Sequence, residues 1–518
     1  MQQSTDPIAP ADSDVAEPVA APVGNRTASG FAWFAVQAVG VKIVGVACQV
    51  ALAYLLGSAD YGYVSLAYLV ATFASLIQQG GLRDMLIQRG REFDKWASDA
   101  FWMALAQGVA STVFMIVAAP AAAWFFHDQR LVGLILVLAT QNVLVSLCVV
   151  PEAKLQLDLR FKFLAAAAFA NSVGLSLLSV LFASLDHFAG TEFGPYSFIL
   201  PWPIVGLMRA IILWRAARIP VRRPRFHLWR HMVVDNGVLL AATFFWTITW
   251  QGDYFILGRL YEKDAVGRYF WAFNLSSQTL QLLSLSVAGV LLPSLTRLAG
   301  DPQRQLGGFL RAANALSLLA TPACLLQALA ADPFVRLLFE PEWYPAIPVI
   351  QILSIGWAFL AVAPSAVSML KAQGRFMTHL WMYASLAVVF LGLVYWGARA
   401  AGIVGAAWGV LAYCVIAGPI STFVAIRPLG GTWLQSFHVF FIPMTLSALT
   451  IGGSYGLGTQ LHLERHGEGV AALIALLVGV PAYVFSSRLL APEAWQDTMF
   501  RAYSILRIRA GLRKSAAA

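Results

Sequence analysis

The chain has 518 residues, 59% of them hydrophobic and only 12% charged, with a mean hydropathy of +0.69. Soluble domains carry about 25% charged residues, so this composition excludes a soluble fold and predicts an all-α polytopic membrane protein. The formal net charge of +9 then reads as Lys and Arg gathered in cytoplasmic loops, and a nucleic-acid partner is not expected.

Residues 1–28 make an Ala- and Pro-rich tail with Asp6, Asp12, Asp14 and Glu17. It lacks a basic n-region and an apolar h-region, so it does not read as a signal peptide; a disordered cytoplasmic tail is expected. Fourteen apolar stretches follow, each near the roughly 20 residues that a spanning helix needs. They cover residues 31–57, 62–82, 99–126, 130–150, 163–184, 195–214, 233–258, 266–292, 307–331, 346–370, 377–398, 403–425, 437–458 and 469–487. With the N-terminus inside, 26 of the 35 Lys and Arg fall in inside segments, 7 outside and 2 within spans. That asymmetry places both termini in the cytoplasm. The four cysteines, Cys48, Cys148, Cys324 and Cys414, all lie inside apolar spans and read as small core residues.

In span 1, Lys42 lies about 16 Å of helix from the start, at 1.5 Å per residue. A charge there costs roughly 2.5–3.5 kcal/mol on insertion scales, so it should face a bundle interior or water. Two readings stand: a lysine hydrogen-bonded within the bundle, or an anion-binding group in a central cavity. Gln49 shares its helix face. A tight turn at Ser58-Ala59-Asp60 leads into span 2, where Ser65, Tyr68, Thr72, Ser75 and Gln79 recur at spacings of 3 and 4 and so share a face. Such a stripe either hydrogen-bonds neighbouring helices or lines a water-filled cavity. A basic loop with Arg83, Arg89, Arg91 and Lys95 follows.

Span 6 carries Pro195, Pro201 and Pro203, which should kink or unwind it, and Arg209, which either snorkels to the cytoplasmic side or adds charge to an anion site. Span 7 presents Thr243, Thr247, Trp250, Gln251 and Tyr254 beside Asp253. That carboxyl either pairs with a nearby cation or serves as a coupling site for a proton or ion. Asp235 reads as a helix cap. Span 8 repeats the striped pattern with Asn274, Gln278, Gln281 and Ser284. Arg311 lies near the inner end of span 9. The pairs Gly405/Gly409 and Gly452/Gly456 have the small-xxx-small spacing of closely packed helices. His227/His231 and His462/His466 lack a third ligand, so no metal and no cofactor is expected. No phosphate-binding loop or nucleophile elbow is present.

The first half also echoes in the second. LLGSADYGYVSLAYL leads into span 2 and ILGRLYEKDAVGRYFWAFNL into span 8, with Gly62-Tyr63 and Gly267-Arg268-Tyr269 at similar places. The repeat predicts an N-terminal lobe of spans 1–6 (29–214), a basic linker (215–232), a C-terminal lobe of spans 7–12 (233–426), two further spans (427–488) and a basic cytoplasmic tail (489–518). Repeats of this kind, with a site between them, mark transporters.

The segments LLGSADYGYVSLAYLV, GGLRDMLIQRG, DYFILGRLYEKDAVGRYFWAFNL and VLLPSLTRL resemble those of Wzx-type polysaccharide flippases, in the multidrug/oligosaccharidyl-lipid/polysaccharide exporter superfamily. The resemblance covers roughly spans 1–12. It implies two six-helix lobes around a cavity lined by spans 1, 2, 7 and 8, and no enzymatic activity. It implies a cargo, an undecaprenyl-pyrophosphate-linked oligosaccharide moved across the bacterial inner membrane for lipopolysaccharide or exopolysaccharide biosynthesis. A polysaccharide polymerase and a chain-length regulator would be its partners. Lys42, with Arg209 or Arg311, would meet the pyrophosphate, and the polar stripes with Trp246, Trp250 and Tyr254 the sugars. Many relatives have Pro where Ser58-Ala59 stands and an acid where Gln79 stands. The alternatives are a drug/cation antiporter or lipid II flippase of the same superfamily, or a membrane glycosyltransferase or polymerase. The last would need catalytic groups in large outer loops, and the largest here, about 332–345, offers only Asp332, Glu340 and Glu342.

Overall fold

The computed structural model describes residues 40–42, 44–78, 82–88, 93–158, 160–191, 193–219, 237–298, 300–460 and 467–490. Expectations for Gln79, His227, His231, Asp235, His462 and His466, and for the Ser284 side chain, lie outside the described groups. The described chain is all helix. In order it forms α1 Gly40–Leu55, α2 Ser58–Gln78, α3 Leu82–Gln88, α4 Phe93–Phe125, α5 Arg130–Leu157, α6 Phe161–Ala189 and α7 Tyr196–Ala217. Then come α8 Gly237–Leu260, α9 Lys263–Arg297, α10 Pro302–Leu338, α11 Pro341–Ala372, α12 Phe376–Ile426, α13 Trp433–Gln460 and α14 Gly469–Leu489. Among the described residues, ten helices are long and apolar enough to cross a membrane.

Helices generally run past the apolar stretches that predict them, because backbone hydrogen bonding continues outside hydrocarbon. Thus α10 begins at Pro302 because the Asp301 side chain accepts the Arg304 N–H, 3.1 Å. The α1–α2 turn falls at Leu56-Gly57 rather than at Ser58-Ala59-Asp60, which already form the first turn of α2. The Ser58 N–H at that start donates to the Glu342 carboxylate, 2.9 Å. The basic loop after span 2 is partly helical: Leu82 and Leu86 of α3 are buried, Leu86 in a small core with Phe93, Ala97 and Val150. The three prolines of span 6 leave Leu200 as a turn between Tyr196–Ile199 and Pro201–Ala217, without unwinding the segment.

α12 is two helices in one. Ala401 (φ −145°, ψ 32°) and Gly402 (φ 63°, ψ −143°) break it, and the chain folds back on itself. A Cβ at Gly405 would strike the Gly397 carbonyl, and one at Gly409 the backbone of Leu393, so this glycine pair does serve close helix approach. The Gly452/Gly456 pair does not: a Cβ at either meets nothing within 4 Å. Two other glycines fill that role, Gly458 against Ala471 and Gly479 against Ile451. The spacing identifies a tolerant pattern, but the rotation of α13 against α14 decides which small residues meet.

Packing falls into two groups. α4 and α7 pack on α5, with α6 on α7; α8 packs on α12, and α9 and α10 on α11. The main bridge between the groups is α2 against α9. At its end the contact is reciprocal: a Cβ on Gly62 would collide with the Lys263 carbonyl, and one on Gly267 with the Ser58 carbonyl. Around it, Ser58 Oγ donates to Asp264 (2.9 Å), Lys263 Nζ to the Phe126 carbonyl (3.1 Å), and Trp343 Nε1 to the Ala53 carbonyl (3.2 Å). The Trp343 ring is fully buried between Tyr61 and Trp271, at centroid distances of 5.1 and 4.9 Å. α13 and α14 pack on α10, and α13 also on α12.

Candidate functional site

The α1 helix is apolar around Lys42, so the ammonium must find its partners on another helix. It reaches α9. Lys42 Nζ donates to Gln278 Oε1 and lies 3.4 Å from Gln281 Oε1. Among the described residues no carboxylate is paired with it. The two glutamines are held for this task by their own helix: Gln278 Nε2 donates to the Asn274 carbonyl (3.0 Å), Gln281 Nε2 to Ser277 Oγ (3.1 Å), and Asn274 Nδ2 to the Phe270 carbonyl (2.9 Å). With their amide nitrogens so engaged, both oxygens turn towards the cation. Lys42 and Gln49 are half-buried, as are Asn274, Gln278 and Gln281. Neutral amides do not neutralise the cation as a carboxylate would, which leaves it open to an anionic ligand.

The α2 stripe behaves differently. Ser65, Thr72 and Ser75 donate to the carbonyls of Gly62, Tyr68 and Thr72 on their own helix, at 2.7–2.8 Å. The Tyr68 hydroxyl accepts from Trp202 Nε1 of α7, 2.8 Å. Ser65 is buried; Tyr68, Thr72 and Ser75 are half-buried.

On α8, Thr247 is buried and donates to the Thr243 carbonyl, 2.9 Å. Gln251 is half-buried. Tyr254 is buried among the rings of Tyr269, Phe270 and Phe273, so its ring packs the helix interior and faces no opening. Asp253 is fully buried, and among the described residues no cation pairs with it. Its Oδ2 accepts from the Tyr269 hydroxyl (2.8 Å) and its Oδ1 from the Tyr254 N–H (3.0 Å). The cation pairing weighed from sequence is thus replaced by a tyrosine.

The structure does not gather the three basic candidates. Arg209 forms an ion pair with Glu152 of α5, 2.6 Å, and Arg83 of α3 reaches the other oxygen of that carboxylate at 3.8 Å. Arg209 also borders a small cavity of about 70 Å³ with Trp202 and Cys148. Arg311 is exposed, its Nε donating to the Gly307 carbonyl of its own helix, 3.2 Å. Sequence reading missed Glu152, which lies just past the apolar stretch 130–150 beside Pro151, and Tyr269, which stands in the repeated Gly–aromatic segment.

A cavity of about 540 Å³ lies beside the Lys42 cluster, sharing Gln281 with it. Trp246 and Trp250 line it from α8 with rings nearly parallel (13°) and centroids 5.8 Å apart. Nothing at this site resembles a catalytic constellation. Among the described residues no group of His, Cys, Asp or Glu has the arrangement to hold a metal, and all four cysteines are buried and free.

Residues 51–348 match the model of a family described as polysaccharide biosynthesis protein. Over 445 residues the chain is 22% identical to the lipopolysaccharide biosynthesis protein WzxC of Escherichia coli (strain K12), covering 84% of this chain and 88% of that protein. It is 22% identical over 484 residues to the teichuronic acid biosynthesis protein TuaB of Bacillus subtilis (strain 168), covering 89% and 95%. Among solved structures, the lipid II flippase MurJ in an inward closed conformation superposes with a TM-score of 0.68, at 13% identity, over 89% of this chain and 99% of that one. That likeness establishes the fold.

Proposed function

The chain belongs to this polysaccharide biosynthesis family, the Wzx-type branch of the multidrug/oligosaccharidyl-lipid/polysaccharide exporters, and from that premise we propose that it flips an undecaprenyl-pyrophosphate-linked oligosaccharide from the inner to the outer leaflet. It is an alternating-access membrane transporter and not an enzyme. The proposal extends to topology: fourteen spans, with α3 at the surface and α12 counted twice, two six-helix lobes over 29–214 and 233–426, and both termini in the cytoplasm. The basic inner loops support that orientation.

The observation that carries the reading is Lys42 held by Gln278 and Gln281. A pyrophosphate cannot cross hydrocarbon without its water being replaced. Lys42 meets it as a cation, and the amides of α9, released from the ammonium, turn to its oxygens and to the first sugar. The polyprenyl tail stays in the bilayer. Rocking of one lobe against the other then exchanges access, with the α2–α9 end opening outwards as the Lys42 end closes. A polymerase and a chain-length regulator take up the product on the outer side.

The test is Lys42→Ala in a deletion strain of the source bacterium, scored by outer-leaflet lipid-linked oligosaccharide. A charge-assisted contact contributes about 1.5–3 kcal/mol, so transport falls roughly tenfold or more, and Lys42→Arg restores most of it. Unchanged transport in Lys42→Ala removes this residue from the site.

A further inference from the structure

The 540 Å³ cavity is lined wholly by α8, α9, α11 and α12, so it sits inside the second half of the chain and not between halves. We propose that this cavity is a glycan subsite: it seats sugar rings of the cargo while Lys42, across Gln281, holds the pyrophosphate. This rests on the flippase reading and adds where the sugars go.

Its chemistry selects an amphipathic ring. Trp246 and Trp250 offer a stacked pair of indoles, with Trp250 backed by Trp357 and Phe273 at 5.5 Å. Flat aromatic faces suit the C–H faces of pyranoses. The wall also carries polar groups among its apolar ones. Lys371 near the end of α11 and His379 in the first turn of α12 mark one end of the cavity, with Ser368 and Ser421 beside them. The Tyr383 and Tyr413 rings lie deeper along α12. His379 is 4% exposed, and its Nδ1 has no hydrogen-bond partner. A buried ring nitrogen without a partner costs free energy until something supplies one, and a turn of the ring towards the cavity would let a sugar hydroxyl do so.

A hydrocarbon chain is the rival occupant. It would leave the His379 ring nitrogen without a partner among apolar groups, which is costly. The volume falls in the roughly 300–1,000 Å³ range of pockets for small molecules. Because every wall belongs to one packing group, rings seated here move with that group as a body, and the pyrophosphate contact on α1 is the one that must break and re-form during rocking.

The experiment uses full-length chain with benzoylphenylalanine at Leu386 or Ala417, both lining the cavity, and separately at Gln49, about two turns from Lys42 on the same helix face. Each variant is expressed in the deletion strain with labelled sugar or labelled polyprenyl precursor and irradiated, and the adducts are treated with mild acid to cleave the pyrophosphate linkage. The expected result is sugar label retained on protein at 386 and 417 after acid, polyprenyl label lost, and a drop of at least tenfold with Trp250→Ala. Polyprenyl label retained at 386 and 417 makes the cavity a lipid-tail site and overturns the subsite. Adducts at Gln49 with none in the cavity overturn it too, while leaving the flippase reading standing. No adduct of either label at any position overturns the flippase reading itself.

Discussion

Lys42 and Asp253 are two intramembrane charges whose partners decide their roles. Both were visible in the sequence, since an ionisable group inside an apolar stretch is conspicuous. Their partners were not. Lys42 meets amides some 236 residues away, and Asp253 meets the Tyr269 hydroxyl. Asp253 therefore stands as a buried carboxyl held by a neutral donor, the arrangement of a group that can gain or lose a proton as its surroundings change. Asp253→Asn keeps an acceptor for Tyr269 but cannot exchange a proton. In proteoliposomes the expected outcome is transport that no longer responds to an imposed pH gradient, with the variant's melting profile near the parent's. A response equal to the parent's makes Asp253 a packing residue only. Arg209 is the contrary lesson: its charge is shared with Glu152, which residue type and position in a span do not disclose.

At the scale of the element, the two polar stripes looked alike and are not. The α2 hydroxyls fold back on carbonyls three or four residues earlier, the usual way Ser and Thr are satisfied in a spanning helix. The longer amides of α9 reach beyond their own helix to Lys42. Side-chain length, not periodicity, decides which stripe reaches another helix. The turn in α12 carries its own prediction. Gly402 has φ 63° and ψ −143°, a conformation essentially confined to glycine, at about 1–3 kcal/mol for other residues. Gly402→Ala is expected to lower stability by that amount in detergent unfolding. A nearby Gly392→Ala is expected to change little, because a Cβ there meets nothing within 4 Å. An unchanged Tm for Gly402→Ala would mean that the chain can fold back there without positive φ.

For the whole molecule, the α2–α9 end is shut by interlocking glycines, the Ser58–Asp264 hydrogen bond and the buried Trp343. The contacts are reciprocal, Gly62 on Lys263 and Gly267 on Ser58, and they join the two segments whose likeness is read in the sequence. If rocking opens this end, a disulfide between Ser58→Cys and Asp264→Cys must arrest transport, and reduction must restore it. The side chains already approach to 2.9 Å. Full transport by the oxidised protein would show that the end does not open.

The sequence by itself determined the class: a charge-poor, helix-only membrane protein, where its apolar stretches lie, and which few polar groups sit inside them. These are local properties, carried by hydropathy over about 20 residues and by a 3.6-residue period. Tertiary structure alone decided which polar groups face one another: Lys42 with α9, Arg209 with Glu152, Asp253 with Tyr269, and the Trp246–Trp250 pair with His379 around one cavity. Hydrophobic pattern marks polar faces but not the rotation or neighbour of each helix. In a bilayer those are set by close packing of small residues and by the cost of leaving any polar group without a partner.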